Sequence, residues 1–316
     1  MDEFKLIEKY FSPLENSNNE VVIGNGDDAA IVNIPVGKSL ALSIDTLVEG
    51  VHFLHGASAQ MVGYRAAAVN LSDMAAMAAE PRYALLSLTI PEDNERWLKG
   101  FSLGLGECLS EYGCSLIGGD TTRGPLTISL TMAGFTSQHR LARSGAQVGD
   151  YVLVSGTLGD ARGALDILKS KCLNTDEEFL IKRYERPSAR ITLSSGLAAL
   201  ANSAIDVSDG LLADASHIAI ASNVGMELIL NELPVSSSLK KIYGEAKAIE
   251  YALTGGDDYE VIYTIPESSL DEAYCVATRE GACLTQIGII TKGDKVKCLS
   301  KDTEEVVPVD KGYHHF

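Results

Sequence analysis

Aspartate beside glycine or serine recurs along this chain in six short clusters: Gly26-Asp27-Asp28, Ser43-Ile44-Asp45-Thr46, Ser72-Asp73, Gly118-Gly119-Asp120, Asp206-Val207-Ser208-Asp209-Gly210 and Gly255-Gly256-Asp257-Asp258. Most fall at the end of an apolar run or the start of a helical one, where a carboxylate points into a cleft. Carboxylates gathered without Lys or Arg repel one another and raise each other's pKa unless divalent cations neutralise them. Magnesium takes oxygen ligands, typically one or two carboxylates together with substrate phosphates and water. Such a set suits phosphoryl transfer, in which metal ions offset the charge of a triphosphate and of the transition state. The usual phosphate cradle is missing: no GxxxxGKS or GxxxxGKT occurs, and Gly156 to Gly159 is too short a stretch to replace it. Gly119, next to Asp120, leaves room for backbone N–H groups to approach a phosphate.

Each cluster taken singly has a second reading. Asp28 and Asp257 fit turns, and Ser208 or Asp209-Gly210 fits the cap of a helix that buries Leu211, Ala215 and Ile218. Asp73 resists this best. Val69, Asp73, Ala76 and Met77 share one face of a helix whose other face is also apolar, so a charge there is costly unless a cation meets it. The alternative is that Ser72 caps a fresh helix starting at Asp73. Arg143, in ARSGA, is either a phosphate clamp or a solvated linker arginine. His52, seven residues after Asp45, is carried towards the same cleft by a strand-end loop, or is structural. His217 reads as packing or surface. His314 and His315, between Tyr313 and Phe316, read as a frayed or a docked tail.

These residues need elements to position them. Leu40, Leu42 and Ile44 alternate with Ala41, Ser43 and Asp45, a strand with a small, polar second face. Residues 60–79 carry helical spacing, with Pro81 marking the stop; Trp97, Phe101, Leu105, Leu109 and Tyr112 give a second helix. Phe4, Ile7 and Phe11 give a short amphipathic one. Ser115 to Ile117 reads as a short strand entering Gly118-Gly119-Asp120, and TISLTMAGF alternates as another. The polar segment 138–148 breaks the pattern. Beyond it Tyr151 to Val154 resumes a strand, and GTLGDARGALDIL reads as a loop entering a helix. The expected organisation is a mixed α/β fold of two domains: 1–137, a junction at 138–148, and 149–316.

Composition bounds the class. Of 316 residues 46% are hydrophobic and 22% charged, the balance of a globular protein. The formal charge of −17, from 26 Lys and Arg against 43 Asp and Glu, argues against nucleic acid or an anionic membrane as partner. Six scattered cysteines without a CxxC pair read as ordinary thiols in a reducing compartment. MDEFKLIEKYF is not a signal peptide pattern, and no apolar run approaches the ~20 residues that span a bilayer. A soluble cytoplasmic protein is expected.

Together the motifs GNGDDAA, SIDTLVEGVHF, AVNLSDMAAMAAEP, LIGGDTTRGPL, RSGAQVGD, SGTLGD, SAIDVSDGL, TGGDDYE and KGYHHF, in this order over essentially the whole chain, closely resemble the thiamine-monophosphate kinase family, within the superfamily of aminoimidazole ribonucleotide synthetase. The resemblance implies an N-terminal domain whose strands pair across a homodimer into a β-barrel, then a C-terminal α/β domain. It implies ATP-dependent phosphorylation of thiamine monophosphate to thiamine diphosphate. By the same motifs the magnesium ligands would be Asp28 (with Asp27), Ser43, Asp45, Asp73, Asp120, Asp206 and Asp209, with Ile44 offering only its backbone oxygen. Gly119, Asp120, Arg143 and Ser208 would contact ATP, and His52, Asp257 and Tyr313 the thiamine phosphate. Two positions depart from the family pattern: GGDDYE stands where GGEDYE is common, and Ile44 where Thr is. The readings kept beside this one are another ATP-using synthetase of the superfamily and a non-enzymatic magnesium–nucleotide-binding protein. A selenophosphate synthetase would carry a reactive Cys in its N-terminal loop, and here no Cys precedes Cys108.

Overall fold

The protein is described as a computed structural model covering residues 3–15, 20–168 and 174–300. Its chain divides into two units, residues 1–74 with 79–138 and residues 75–78 with 139–316. Among the described residues no helix is long and apolar enough to cross a membrane.

The first unit begins with α1 (Glu3–Tyr10) and a small hairpin, β1 (Val21–Ile23) with β2 (Ile31–Val32). Then come β3 (Ser39–Val48), α2 (Ala59–Ala76), β4 (Glu80–Ile90), α3 (Glu95–Glu111), β5 (Ser115–Arg123) and β6 (Thr127–Thr136). The four long strands form an open sheet in the order β3-β6-β4-β5, antiparallel except for the β4–β5 pair. Asn94 starts α3 by accepting the Trp97 N–H at 3.1 Å. Gln60 and Tyr64 of α2 donate to Glu107 and Glu111 of α3 at 2.7 and 3.0 Å.

Helix α2 is continuous to Ala76, and Ser72 is wholly buried inside it. Ser72 is therefore no cap, and Asp73 sits within the last turns of a helix buried nearly all round. The helix ends at Ala76, before Pro81, and Ala78 in the turn that follows has φ of 50°. Pro81 itself lies in β4, a strand that the sequence reading passed over. Strand β5 also runs past Ile117 to Arg123, so Gly118, Gly119 and Asp120 are strand residues, with a register shift where β4 pairs with them. On β3 the alternation is as expected, but the apolar row is the uncovered one: Leu42 and Ile44 are 65% and 64% exposed.

The second unit contains β7 (Tyr151–Ser155), α4 (Asp160–Ile167), α5 (Thr175–Glu185), α6 (Ile191–Leu197), β8 (Ser203–Asp206), α7 (Leu211–Ser222) and β9 (Gly225–Ile229). After these come α8 (Ser237–Tyr243), α9 (Glu245–Thr254), β10 (Val261–Ile265), α10 (Leu270–Arg279), β11 (Leu284–Thr291) and β12 (Val296–Leu299). Six strands run in the order β12-β9-β11-β7-β10-β8. Helices cover both faces, which is why β7 and β10 read as unbroken apolar runs. Val152, Val154 and Ile262 pack with residues of α7 and α9, while the alternate residues Leu153, Val261 and Tyr263 pack with α6 and α10. Residues 139–148 belong to this unit and run along the edge strand β8, where Ala204 N–H donates to Ala142 O at 2.9 Å.

One buried ionic group ties the loops of the second unit to its sheet. The Glu260 carboxylate, fully buried, accepts from Arg190 at 2.6 and 2.5 Å, from Arg183 at 2.7 Å and from the Ser155 hydroxyl at 2.5 Å. Burial alone would push this carboxyl up, but Arg190 and Arg183, with Ser155, hold it below its ordinary value. Removing one partner of such a buried group costs about 3–5 kcal/mol. Glu260→Gln is therefore expected to lose stability of that order at pH 7. A carboxyl with a lowered folded-state pKa stabilises above its unfolded value near 4.5 and loses that contribution as pH falls through the folded value. Urea titrations at neutral and acid pH check the sign: the gap between wild type and variant should narrow on acidification, and a gap independent of pH would contradict the ion-pair origin.

Candidate functional site

In the first unit the candidate residues fall into two groups. Strand β3 presents Ser43 and Asp45 on its less exposed row, opposite the last turns of α2. The Ser43 hydroxyl donates to Asp73 Oδ2, so three hard oxygen donors from two elements meet there. Burial raises the Asp45 carboxyl, and the negative charge of Asp73 raises it further, to about 6. Both influences on Asp45 push the same way, and a divalent cation would reverse both. The Ile44 side chain points to the other row of the strand and is exposed. His52, just after the strand, is held by its own turn: its Nδ1 accepts the Val48 N–H at 3.0 Å, which leaves the neutral ring's proton on Nε2.

The second group lies at the opposite edge of the sheet. Asp120 on β5 is in register with Ser87, whereas Asp45 on β3 is in the row of Leu130 and Leu86. Three strand spacings, about 14 Å, separate the two edges. Asp120 and Gly119 share a cavity of about 620 Å³ with the loop bearing Asp27 and Asp28. Phe11, Leu116 and Ile117 give it an apolar wall. Asp27 Oδ1 accepts the Asp28 N–H at 2.8 Å, and all three carboxylates are exposed. Only glycine fits at 119, because a Cβ there would lie 2.1 Å from the Leu86 carbonyl oxygen. Among the described residues no three acidic, histidine or cysteine side chains stand close enough to hold a metal ion by themselves.

In the second unit the loops 206–210 and 255–260 are joined by backbone. Asp257 N–H donates to Ser208 O, Tyr259 N–H to Val207 O, and Val207 N–H to Glu260 O, at 2.9, 2.9 and 2.7 Å. Asp206 ends β8 and is buried, while Ser208 and Asp209 are half-buried. Asp257 and Tyr259 both have positive φ, 69° and 50°, and the Tyr259 hydroxyl donates to Asp257 Oδ1 at 2.9 Å. A tyrosine in that region is strained, and the neighbouring Glu260 group holds the segment in place. Arg143 is exposed. Tyr313 lies outside the described residues.

Sequence reasoning missed Asp214 and Glu260 and gave Asp258, within its Gly255–Asp258 cluster, no role of its own, yet three carboxylates shape these loops. Asp214 Oδ2 accepts the N–H groups of Ser208, Asp209 and Gly210 at 3.0, 3.1 and 3.1 Å; burial and the Asp209 charge nonetheless raise its carboxyl to about 7. Asp258, raised well above its ordinary value by burial, accepts from Gly159 and Ala161 at the start of α4 at 2.6 and 3.2 Å. Glu260 is the third. Asp214 had a readable signal, since it is the one acidic residue in the apolar helical run LLADASHIAIA.

Comparison with known proteins follows the same division. Residues 26–136 match the N-terminal domain model of AIR synthase related proteins, and residues 147–301 match the C-terminal domain model. The thiamine-monophosphate kinase of Escherichia coli K12 is 44% identical over 99% of this chain and 98% of its own length. That of Bacillus subtilis 168 is 35% identical over the full length of both. This chain belongs to the thiamine-monophosphate kinase family. Among solved structures, the thiamine-monophosphate kinase from Stenotrophomonas maltophilia K279a has a TM-score of 0.88 at 40% identity, covering 93% of this chain and 95% of that one. AaThiL complexed with AMPPCP and TMP has a TM-score of 0.81 at 36% identity, covering 90% and 89%. Escherichia coli HypE, a hydrogenase maturation protein, is 19% identical with a TM-score of 0.77 and shares the fold.

The Asp45–Asp73 pair generates a stability test in metal-free protein. A carboxyl whose folded-state value is raised, here from 3.8 to about 6, contributes stability below 3.8 that is lost as pH rises through 6. Asp73→Asn removes the repulsion while keeping an acceptor for Ser43. In chelator at pH 7.5 the variant should be more stable than wild type, by no more than about 2 kcal/mol after solvent screening. The difference should vanish towards pH 4. A variant less stable than wild type at pH 7.5 would mean that the Asp73 charge is met inside the protein.

Proposed function

We propose that this chain transfers the γ-phosphoryl group of ATP directly to the phosphate of thiamine monophosphate, giving thiamine diphosphate and ADP. The geometry that carries the reading is the meeting of Ser43, Asp45 and Asp73, three hard oxygen donors of the kind that hold a magnesium ion. Family membership over the full chain supports it, as does the likeness to AaThiL, solved with AMPPCP and TMP. Ser43, Asp45 and Asp73 form one set of proposed magnesium ligands, with the backbone oxygen of Ile44; Asp27, Asp28 and Asp120 form another, and Asp206 and Asp209 belong to the second unit. Bound magnesium supplies charge neutralisation for the triphosphate and the transferring group.

The protein's own residues then bind and align. Gly119 exposes backbone beside Asp120, and Arg143 and Ser208 contact the nucleotide phosphates. His52 donates through Nε2–H to the acceptor's phosphate, and Asp257, with Tyr313, binds the thiamine end. Asp257 is one methylene shorter than the glutamate common in the family, and its positive φ carries the carboxylate on a fixed turn. The acceptor oxygen is already anionic, so no general base is required, and alignment of two repelling anions is what the site must supply. The apolar row of β3, with Leu42 and Ile44 uncovered, is the surface through which we propose that two copies pair their sheets into a barrel. A cytoplasmic location accompanies this reading, since ATP and scattered, unpaired cysteines both belong there.

Two measurements test it. Incubation with magnesium, thiamine monophosphate and ATP chirally labelled at the γ-phosphorus should yield thiamine diphosphate with inverted configuration; net retention would require a phosphorylated enzyme. Sedimentation at micromolar concentration should give a dimer for wild type and a monomer for Leu42→Glu with Ile44→Glu. A wild-type monomer would remove the proposed role of the β3 surface.

A further inference from the structure

We infer that Ser222, at the last turn of α7, is a positioning residue for Arg143. This rests on the reading above that Arg143 binds the nucleotide phosphates. Ser222 Oγ accepts the N–H groups of Gly145 and Ala146, both at 3.1 Å, and donates to the Arg143 carbonyl at 3.3 Å. A hydroxyl has one donor and two acceptor positions. All three are used here by one loop, 79 residues away for Arg143.

The rest of the loop is pinned on either side of this clasp. Leu141 is buried in the core on one face of the six-stranded sheet, and Ala146 is buried in the core on the other. Between them Gly145 has φ of 121°, and a Cβ there would lie 2.4 Å from the Asn202 carbonyl oxygen. Asn202 in turn donates to Asp150 at 2.9 and 3.1 Å, and Asp150 accepts the Gln147 N–H at 2.8 Å. The side chain of Arg143 thus projects, exposed, from a backbone fixed at every other residue. A solvated linker arginine would have no such support. Helix α7 is itself docked through Leu211, Leu212, Ala215, Ile218 and Ala219, and at its other end Asp214 holds the Ser208–Asp209 backbone. One rigid helix of twelve residues, about 18 Å long, therefore sets where both nucleotide-directed segments begin.

The test is a double-mutant cycle on the full chain, with titration of a non-hydrolysable ATP analogue in magnesium and steady-state kinetics. Losing one neutral hydrogen-bonding centre corresponds to about a fivefold change in an equilibrium constant. Ser222→Ala should weaken analogue binding and raise the KM for ATP about fivefold. It should leave kcat and the KM for thiamine monophosphate within about twofold, speed hydrogen exchange at the Gly145 and Ala146 amides, and be restored by Ser222→Thr. Arg143→Ala should weaken binding more, by tenfold or more for a charge-assisted contact (about 1.5–3 kcal/mol), and in that background Ser222→Ala should add nothing. Additive effects would overturn the inference, as would unchanged analogue binding in Ser222→Ala when Arg143→Ala is impaired. Unchanged binding in Arg143→Ala itself would instead remove the phosphate role of Arg143, and the inference with it.

Discussion

Two carboxylates that repel each other, Asp45 and Asp73, are held side by side where β3 faces the end of α2. Asp45 is pressed by burial and by the charge of Asp73, and the Ser43 hydroxyl donates to Asp73 between them. A divalent cation would relieve that repulsion. Glu260 shows the opposite case in the same chain: fully buried, yet met by two arginines and a serine.

The second unit solves a different problem, that of holding polar loops still. Its loops around residues 143–149, 206–210 and 255–258 are short and rich in glycine, with little side chain to pack. They are fixed instead by hydrogen bonds from carboxylates and hydroxyls mounted on helices and strands. Asp214 serves residues 208–210, Asp258 serves the start of α4, and Ser222 serves residues 143–146. Strained φ values at Asp257 and Tyr259 persist because the backbone around them is tied to the loop at 207–208 and Glu260 is locked.

Local pattern revealed the elements whose signal is local. The alternation of β3 and β6 and the spacing of α2 and α3 follow from one segment each. Strand β4 is hard to read locally because Pro81, which signals a helix stop, also lies at the opening of a strand. Strand β5 was cut short because Gly118-Gly119-Asp120 reads as a turn; pairing with β4 holds it extended, through a shift in register. For Asp73 the sequence left a cap at Ser72 open, and the continuity of α2 closed it. The two edges of the first sheet, which separate Asp45 from Asp120, could not be read at all, since strand order is a property of the whole sheet. Nor could the pairing of Glu260 with Arg183 and Arg190, which lie 77 and 70 residues away.

Under the proposed function, these aspartates hold magnesium that accompanies the nucleotide. Calorimetric titration of the intact protein with a non-hydrolysable ATP analogue, once in magnesium and once in chelator, tests it most directly. The expected result is binding that depends on magnesium and disappears in chelator, because the aspartates then repel the triphosphate. Equal affinity in both conditions would contradict the claim and assign the carboxylates to the fold.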